Sequence, residues 1–208
     1  NVYKSKIFEP RLTLTSSYFT GHNIIFGVEH TTDELTSDRF VNRRMTTRSL
    51  HETEYFLQDE WTVNSHWMLS SGVRTNFSKA FGFMWMPKIA IKYAPDNHWA
   101  LRANYSMGYR APSIKELFFN WDHLGMFQIK GSENLQSEKN NYFSLGAEYS
   151  KERFFINVNA YANIFNKKIE GVWRIYDMQY NFEYINLKSQ RMLGIEAIMK
   201  WRLTDNFM

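Results

Sequence analysis

Alternation of apolar and polar side chains is the dominant pattern along this 208-residue chain. Between Trp99 and Arg110 every second residue is apolar or aromatic, and most residues between them are polar. The same alternation returns between Phe143 and Tyr149. A period of two residues with one apolar and one polar face is typical of a β-strand. The segment 109–135, which connects these two strands, is therefore predicted to be an unusually long loop.

The pattern predicts about nine strands joined by connections of alternating length. The predicted strands are 11–19, 23–30, 51–63, 67–74, 85–93, 99–110, 143–149, 154–175 and 185–201. Long loops are predicted over 31–50 and 109–135 and medium loops over 76–82 and 176–180, whereas the intervening connections read as short turns. Long and short connections that alternate in this way place the loops and the turns at opposite rims of an antiparallel meander.

Composition favours a membrane location for this meander. Aromatic residues make up 17% of the chain, yet the mean hydropathy is −0.49. No apolar run approaches the roughly 20 residues that a membrane helix needs, but the polar interior of a membrane β-barrel keeps the mean hydropathy low. The predicted fold is all-β, an antiparallel up-and-down transmembrane β-barrel. Because bacterial single-chain barrels have even strand numbers, residues 1–208 are expected to form part of the barrel domain of a longer protein.

The charge balance and the cysteine content argue against several classes of function. The 25 Lys and Arg residues are spread along the chain and barely exceed the 21 Asp and Glu residues, which argues against a nucleic-acid partner. Cysteine is absent, and this excludes disulfides, thiolate metal sites and a cysteine nucleophile. Glu54, Asp59 and Glu60 could supply an acid pair for glycoside cleavage, but no helper residues accompany them, so the protein is predicted not to be an enzyme.

A group of motifs surrounds the central loop. The chain reads Tyr109-Arg110-Ala111-Pro112, then Ser113-Ile114-Lys115-Glu116-Leu117, followed by Gly131, Leu135 and Glu138. Together with Asn186 and Gly194-Ile195-Glu196 in a late strand, these motifs resemble the signature of TonB-dependent outer-membrane receptors. The resemblance implies a receptor in the bacterial outer membrane with a plug domain that this chain lacks. It also implies contact with the TonB energy complex through that plug, and no chemical reaction.

Within that family, the haem-uptake receptors are similar in carrying a histidine between the two boxes of the signature. His123 occupies that place, so the resemblance implies that it is a ligand of haem iron and that haem is the transported ligand. The predicted ligand-binding residues are His123, Tyr109, Arg110, Trp121, Met126, Phe127 and Lys130. A loop histidine among aromatic neighbours is also typical of packing within a folded loop. The expected partners are outer-membrane lipid, haem or a haem-carrying protein, and a surface lipoprotein that delivers it.

Other interpretations stay open at this point. The second box reads Ser132-Glu133-Asn134-Leu135 where the family has Asn-Pro-x-Leu, so a siderophore, cobalamin or a glycan is an alternative cargo. An outer-membrane barrel enzyme and a soluble β-sandwich adhesin are alternatives of other classes. The tryptophans near turns and loops suit interfacial girdles.

Two further groups of residues lie around the first predicted long loop. Four arginines form the densest basic cluster and either contact anions such as lipopolysaccharide phosphates and cargo or form a solvated face: Arg39, Arg43, Arg44 and Arg48. His30 and His51 flank the same loop. Each is a candidate second iron ligand or a solvated base.

Overall fold

The computed structural model describes residues 3–41, 44–176 and 178–204, which form one β-sheet and one short helix. The elements are β1 (Tyr3–Phe8), β2 (Arg11–Ser16), β3 (His22–Val41), β4 (Arg44–Thr62), β5 (Trp67–Ser78), β6 (Gly82–Tyr93), β7 (Trp99–Arg110), α1 (Ile114–Phe118), β8 (Asn120–His123), β9 (Phe127–Lys130), β10 (Glu138–Lys151), β11 (Phe154–Tyr176) and β12 (Gln179–Trp201). None of the described helices is long and apolar enough to cross a membrane.

The strands follow one another as an antiparallel meander. Their order in the sheet is β1-β3-β4-β5-β6-β7-β10-β11-β12-β9-β8, and β2 also pairs with β3. β1 and β2 lie on β3 in one continuous register, because Phe8 is opposite Thr32 and Arg11 is opposite Glu29. Pro10 interrupts them, since proline has no N–H to donate to the ladder.

The predicted number of about nine strands is confirmed for the meander. β1 and β2 act as one interrupted strand, and the short β8 and β9 belong to the connection between β7 and β10. The remaining long strands bring the meander to nine, and the sheet formed by the described residues does not close on itself. This is the partial barrel that the alternation of side chains predicts.

The predicted outward face is apolar and exposed. Leu57, Leu101, Leu145 and Ile195 lie on different strands, and their exposures range from 43% to 77%. The five tryptophans predicted for the interfacial girdles are 37–58% exposed: Trp61, Trp67, Trp85, Trp99 and Trp201. A soluble β-sandwich would bury such residues between two sheets, so that alternative is wrong.

The opposite face carries paired polar side chains. Arg102 Nη1 lies 3.0 Å from Glu148 Oε2 on β10, and Asn104 Nδ2 donates to Ser144 Oγ at 3.0 Å. These pairs are formed across neighbouring strands, where side chains on one face lie close together. They explain why half of the residues in membrane-spanning strands can be polar.

The predicted loop over 31–50 is wrong. β3 continues to Val41 and β4 begins at Arg44, so the two strands form one long hairpin. A strand of 20 residues is about twice as long as the roughly 9–11 residues needed to cross a bilayer. Beyond the hydrocarbon neither face contacts lipid, so the alternation disappears although the backbone ladder continues. The 76–82 loop is likewise shorter than predicted, because β5 runs to Ser78 and β6 begins at Gly82.

The short turns are stabilised by side-chain oxygens at their first positions. Asp96 Oδ1 accepts the N–H groups of His98 at 2.7 Å and Trp99 at 2.9 Å. These two backbone hydrogen bonds hold the pKa of the Asp96 carboxyl below its ordinary value. Asn64 Oδ1 accepts two N–H groups in the same way in the β4–β5 turn, so both predicted short turns are Asx turns.

Candidate functional site

The connection between β7 and β10 is a folded unit and not an open loop. It begins with helix α1, whose N-cap is Ser113. Glu116 N–H donates to Ser113 Oγ at 3.3 Å, and Ser113 N–H donates to Glu116 Oε2 at 2.7 Å. This reciprocal capping box satisfies two of the donors that every helix N-terminus leaves unpaired. The Ser-x-x-Glu spacing was visible in the sequence, yet five helical residues give too short a periodicity to predict a helix.

Arg110 joins the base of this unit to two strands. Its guanidinium donates to both carboxylate oxygens of Glu116, at 3.1 and 3.0 Å, and to Glu138 on β10 at 3.3 Å. Glu138 Oε2 also accepts the Ile169 N–H of β11 at 3.0 Å. Arg110 therefore fixes the position of α1 relative to β10 and, through Glu138, relative to β11.

Gly131 closes the unit at its other end. Its N–H donates to the Phe119 carbonyl at 2.5 Å, and the position of a Cβ on Gly131 would lie 2.7–2.8 Å from backbone atoms of Leu117 and Glu116. Only glycine permits so close an approach of two backbone segments. The glycine of the second family box thus has a packing role in this chain.

Two small apolar clusters attach the unit to distant strands. The first joins Leu35 and Phe40 of β3 to Ile114 and Phe119, and the Phe40 and Phe119 ring centroids are 5.6 Å apart. The second cluster consists of Leu117, Leu135 and Ile169 of β11. Because β3 and β11 are far apart in the meander, the unit bridges separate parts of the sheet.

The β8–β9 hairpin adds to the sheet in an unusual direction. β9 pairs in parallel with β12, with Tyr180 opposite Phe127 and Glu183 opposite Lys130. Lys130 Nζ donates to Tyr176 Oη at 2.7 Å, and Tyr176 Oη donates to Glu183 Oε1 at 2.5 Å. This chain of hydrogen bonds holds the hairpin against the outer end of the β11–β12 hairpin.

Five of the seven predicted ligand-binding residues lie on this hairpin, and the rings of three of them are in contact. The His123 ring lies 4.8 Å from Phe127 in a stacked arrangement and 4.9 Å from Trp121. Met126 is beside them at the hairpin tip and is 62% exposed. Lys130 lies at the other end of β9, engaged with Tyr176.

The other two predicted residues lie at the base of the unit. Tyr109 is half-buried, and its hydroxyl accepts a hydrogen bond from Ser137 Oγ at 3.4 Å. Arg110 is engaged with Glu116 and Glu138. The seven residues therefore do not form a single site, and a ligand-binding role remains a prediction for each.

A cavity of about 560 Å³ lies where the unit meets β3 and β4. Its lining includes the rings of Phe40, Phe118 and Phe119 and two cations, Arg48 and Lys130. Glu133 and several amide and hydroxyl side chains complete the wall. Its volume falls within the range of about 300–1,000 Å³ that small-molecule sites occupy.

Two arginines of the predicted basic cluster, which was a candidate for contact with anions, lie against aromatic rings of this unit. The Arg48 guanidinium lies 4.7 Å from the Phe118 ring centroid, and that of Arg39 lies 4.2 Å from the Trp121 ring centroid. The Nε atoms of both arginines are buried and have no hydrogen-bond partner in the described part of the chain. The sequence groups them in a basic cluster, but their contacts with a loop some seventy residues away have no local signal. Arg43 of the same cluster lies outside the described residues.

The histidines that flank the wrongly predicted 31–50 loop lie instead within paired strands. The rings of His30 and His51 are 6.2 Å apart, and both contact the hydroxyl of Thr32 at 3.2 Å. Within the described ranges, no group of three or more His, Cys, Asp or Glu side chains could hold a metal ion.

Comparison with known proteins identifies the family. Residues 2–207 match the family model described as "TonB dependent receptor-like, beta-barrel". The chain belongs to the TonB-dependent receptor β-barrel family. The chain is accordingly located in the bacterial outer membrane. Members of this family are receptors and transporters, which agrees with the prediction that the protein is not an enzyme.

Relatives of this receptor chain are known at the level of sequence. It is 28% identical over 155 residues to the iron-regulated outer membrane virulence protein of Vibrio cholerae serotype O1. The match covers 73% of this chain and 24% of that protein. The chain therefore spans about a quarter of the length of the curated relatives that it matches.

Solved structures of the same fold resemble this receptor chain over 98% of its length. The siderophore receptor PirA from Pseudomonas aeruginosa matches with a TM-score of 0.81 at 16% identity, over 38% of that chain. A variant of the ferric enterobactin receptor PfeA from Pseudomonas aeruginosa, in complex with enterobactin, matches with a TM-score of 0.81 at 18% identity, over 34% of that chain. The copper transporter OprC matches with a TM-score of 0.75 at 16% identity, over 36% of that chain. Identities this low establish a shared fold alone.

Proposed function

We propose that this chain forms part of the wall and a cargo-binding loop of a receptor that imports an anionic iron chelate of the siderophore class. The observation that carries this proposal is the 560 Å³ cavity beneath the loop, which combines aromatic rings with the cations Arg48 and Lys130. The cargo would pass a plug domain coupled to the TonB complex. The iron-regulated relative and the siderophore receptors of the same fold support this cargo class.

The charge of the cavity favours an anion. Arg48 and Lys130 outnumber the single lining carboxylate, Glu133. Arg48 lines the cavity, and a guanidinium can donate two parallel N–H groups to carboxylate or phenolate oxygens. Lys130 uses one of its three donors on Tyr176, which leaves two for a ligand.

The aromatic lining favours a planar ligand group. Phe118 already stacks against the Arg48 guanidinium, and Phe40 and Phe119 lie beside it in one cluster. A flat aryl group of a chelate would contact the partly exposed Phe118 ring and the guanidinium, while Phe40 and Phe119 support them from behind. A compact chelate without aryl groups would gain less from this lining.

Haem is a second candidate, and His123 favours it. Its imidazole stacks on Phe127, is partly exposed, and forms no side-chain hydrogen bond within the described residues. A neutral imidazole nitrogen is a common ligand of haem iron, and Trp121 and Phe127 would contact the porphyrin. The names of the relatives above refer to iron, siderophores and copper, and none refers to haem.

Ligand titration of the complete receptor separates the two candidates. The probes are ferric enterobactin, a neutral ferric hydroxamate of similar size, and haemin, and binding is measured by quenching of tryptophan fluorescence. We expect Arg48→Ala and Lys130→Ala each to weaken ferric enterobactin binding by about 10–100-fold, since one charge-assisted hydrogen bond contributes about 1.5–3 kcal/mol. Arg44→Ala, which removes an exposed cation outside the cavity lining, is the matched control.

Each result has a defined meaning. Weak binding of the neutral hydroxamate, together with His123→Ala behaving like the wild type, supports the anionic chelate. Unchanged chelate binding in Arg48→Ala and Lys130→Ala contradicts the proposed site. Loss of the haemin Soret shift in His123→Ala alone would establish the second candidate in its place.

A further inference from the structure

Four oxygen-bearing side chains meet across the β4–β5 ladder. Glu52 lies opposite Ser78, and Glu54 lies opposite Asn76. Residues two apart on a strand share a face of the sheet, so these four side chains lie together on the polar face. Asn76 Nδ2 donates to Glu52 Oε2 at 3.3 Å and to Glu54 Oε1 at 3.2 Å, which links these three side chains directly, and Ser78 lies beside them as the strand partner of Glu52.

This cluster contains buried oxygens that are not satisfied. Asn76 is 0% exposed and Ser78 is 7% exposed. Glu52 Oε1, Asn76 Oδ1 and Ser78 Oγ are all buried and have no hydrogen-bond partner among the described residues. Native proteins pair the great majority of such groups. Three unsatisfied oxygens on paired positions of two neighbouring strands therefore point to a bound group that the three share.

The charges indicate which kind of group completes the cluster. Arg74 Nη1 lies 3.0 Å from Glu54 Oε2 and so compensates one of the two carboxylates. Glu52 has the Asn76 amide as its hydrogen-bond partner and no ion pair within the described residues. The cluster thus contains one partly buried carboxylate that no cation in the described residues compensates, and its charged form is unfavourable without one.

We infer that this cluster binds a hard divalent cation, for which Ca²⁺ is the probe. Glu52 supplies a carboxylate oxygen, Asn76 an amide oxygen and Ser78 a hydroxyl oxygen, with Glu54 at the edge of the site. Ca²⁺ prefers an all-oxygen set of carboxylates, amide carbonyls and waters, and it tolerates irregular geometry. The site uses two carboxylates together with an amide and a hydroxyl, and it is independent of the cargo proposed above.

The test is a measurement of calcium binding to the complete receptor. The receptor is refolded in detergent, so that no lipopolysaccharide is present to bind the metal, and is then treated with a chelator. Isothermal titration with CaCl₂ at constant ionic strength should show saturable binding, with a Kd on the order of 10⁻⁴–10⁻³ M, the range of weak extracellular calcium modules. The midpoint of thermal unfolding should rise with calcium, because a ligand that binds the folded state stabilises it.

Variants connect the binding to the cluster. Glu52→Gln should weaken calcium binding at least tenfold, and Ser78→Ala should weaken it several-fold while preserving the fold. The matched control is Glu148→Gln, which alters an interior glutamate paired with Arg102 on other strands and should leave binding unchanged. Should Glu52→Gln fail to fold, Ser78→Ala carries the comparison.

Three results would overturn the inference. The first is the absence of saturable calcium binding, which would leave Glu52 protonated or bonded to water. The second is equal loss of binding in Glu148→Gln and Glu52→Gln. The third is the same thermal shift with choline chloride at matched ionic strength, since that shift would report charge screening alone.

Discussion

Arg110 offers the most direct test of how the β7–β10 unit is held. Replacing it with alanine removes three hydrogen bonds to Glu116 and Glu138. The two carboxylates are only 15% and 13% exposed, whereas the Arg110 side chain is 44% exposed. Arg110→Ala therefore leaves two largely buried carboxylates without their cation.

The magnitude follows from this partial exposure. A hydrogen bond to a charged group contributes about 1.5–3 kcal/mol when buried, and an exposed ion pair contributes about 0–1 kcal/mol. Taking about 0.7–1 kcal/mol for each of the three bonds, because Arg110 is partly exposed, gives a cost of about 2–3 kcal/mol. Since about 1.4 kcal/mol corresponds to a factor of ten, the population with an open loop should rise roughly 30–100-fold.

Limited proteolysis measures this population. Trypsin cleavage after Lys115 and Lys130 in the complete receptor, embedded in outer membranes, tracks the open fraction when opening and closing are faster than cleavage. Arg110→Lys should give an intermediate rate, because lysine keeps the charge but loses the planar fork. Arg102→Ala, which removes a single ion pair farther along β7, should leave cleavage of the loop unchanged.

The result that would refute this reasoning is wild-type cleavage in Arg110→Ala. An equal increase in Arg102→Ala would also refute it, because the effect would then reflect general weakening of the barrel.

Two further predictions concern the glycine of the second box and the short turns. Gly131→Ala places a Cβ against backbone atoms of Leu117 and Glu116 and should increase cleavage after Lys115 in the same assay; Gly146→Ala, whose nearest neighbour is a side-chain oxygen at 3.2 Å, should have a smaller effect. The lowered pKa of Asp96 means that its contribution to the turn is present above the unfolded carboxyl pKa of about 3.9 and is lost as the pH falls through the lower folded value. Hydrogen exchange of the His98 and Trp99 amides checks this prediction, and the Asp96→Asn variant is measured at each pH as the control. In acid the wild type should lose protection of these amides, and the variant should not. If the two proteins show the same dependence of protection on pH, the charge of Asp96 has no role in the turn.

The sequence predicts the parts of the fold that contact lipid. The alternation between Trp99 and Arg110 marks β7 within a residue because one face must be apolar. Residues 31–41 and 44–50 are equally part of strands, but they extend past the hydrocarbon, where lipid no longer requires every second residue to be apolar. Periodicity thus reports the surroundings of a strand and not the hydrogen bonding that defines it.

The candidate site could be predicted only in part, for a different reason. His123, Trp121 and Phe127 lie within a few residues of one another, so their proximity was accessible from the sequence. The pairing of Arg48 with Phe118 depends on how a loop folds back on a strand seventy positions earlier. No local propensity encodes such a contact, and the apolar cluster of Phe40 and Phe119 that creates it is likewise visible only in three dimensions.

The parallel contact between β9 and β12 has a consequence for biogenesis. Phe127 pairs with Tyr180, which follows about fifty residues later in the chain, after β10 and β11. Antiparallel neighbours can join the growing barrel one after another, but this contact requires both β11 and β12 to be in place. The β8–β9 hairpin therefore reaches its final position only when β12 is part of the sheet, and an assembly intermediate that lacks β12 would have no strand to hold this hairpin.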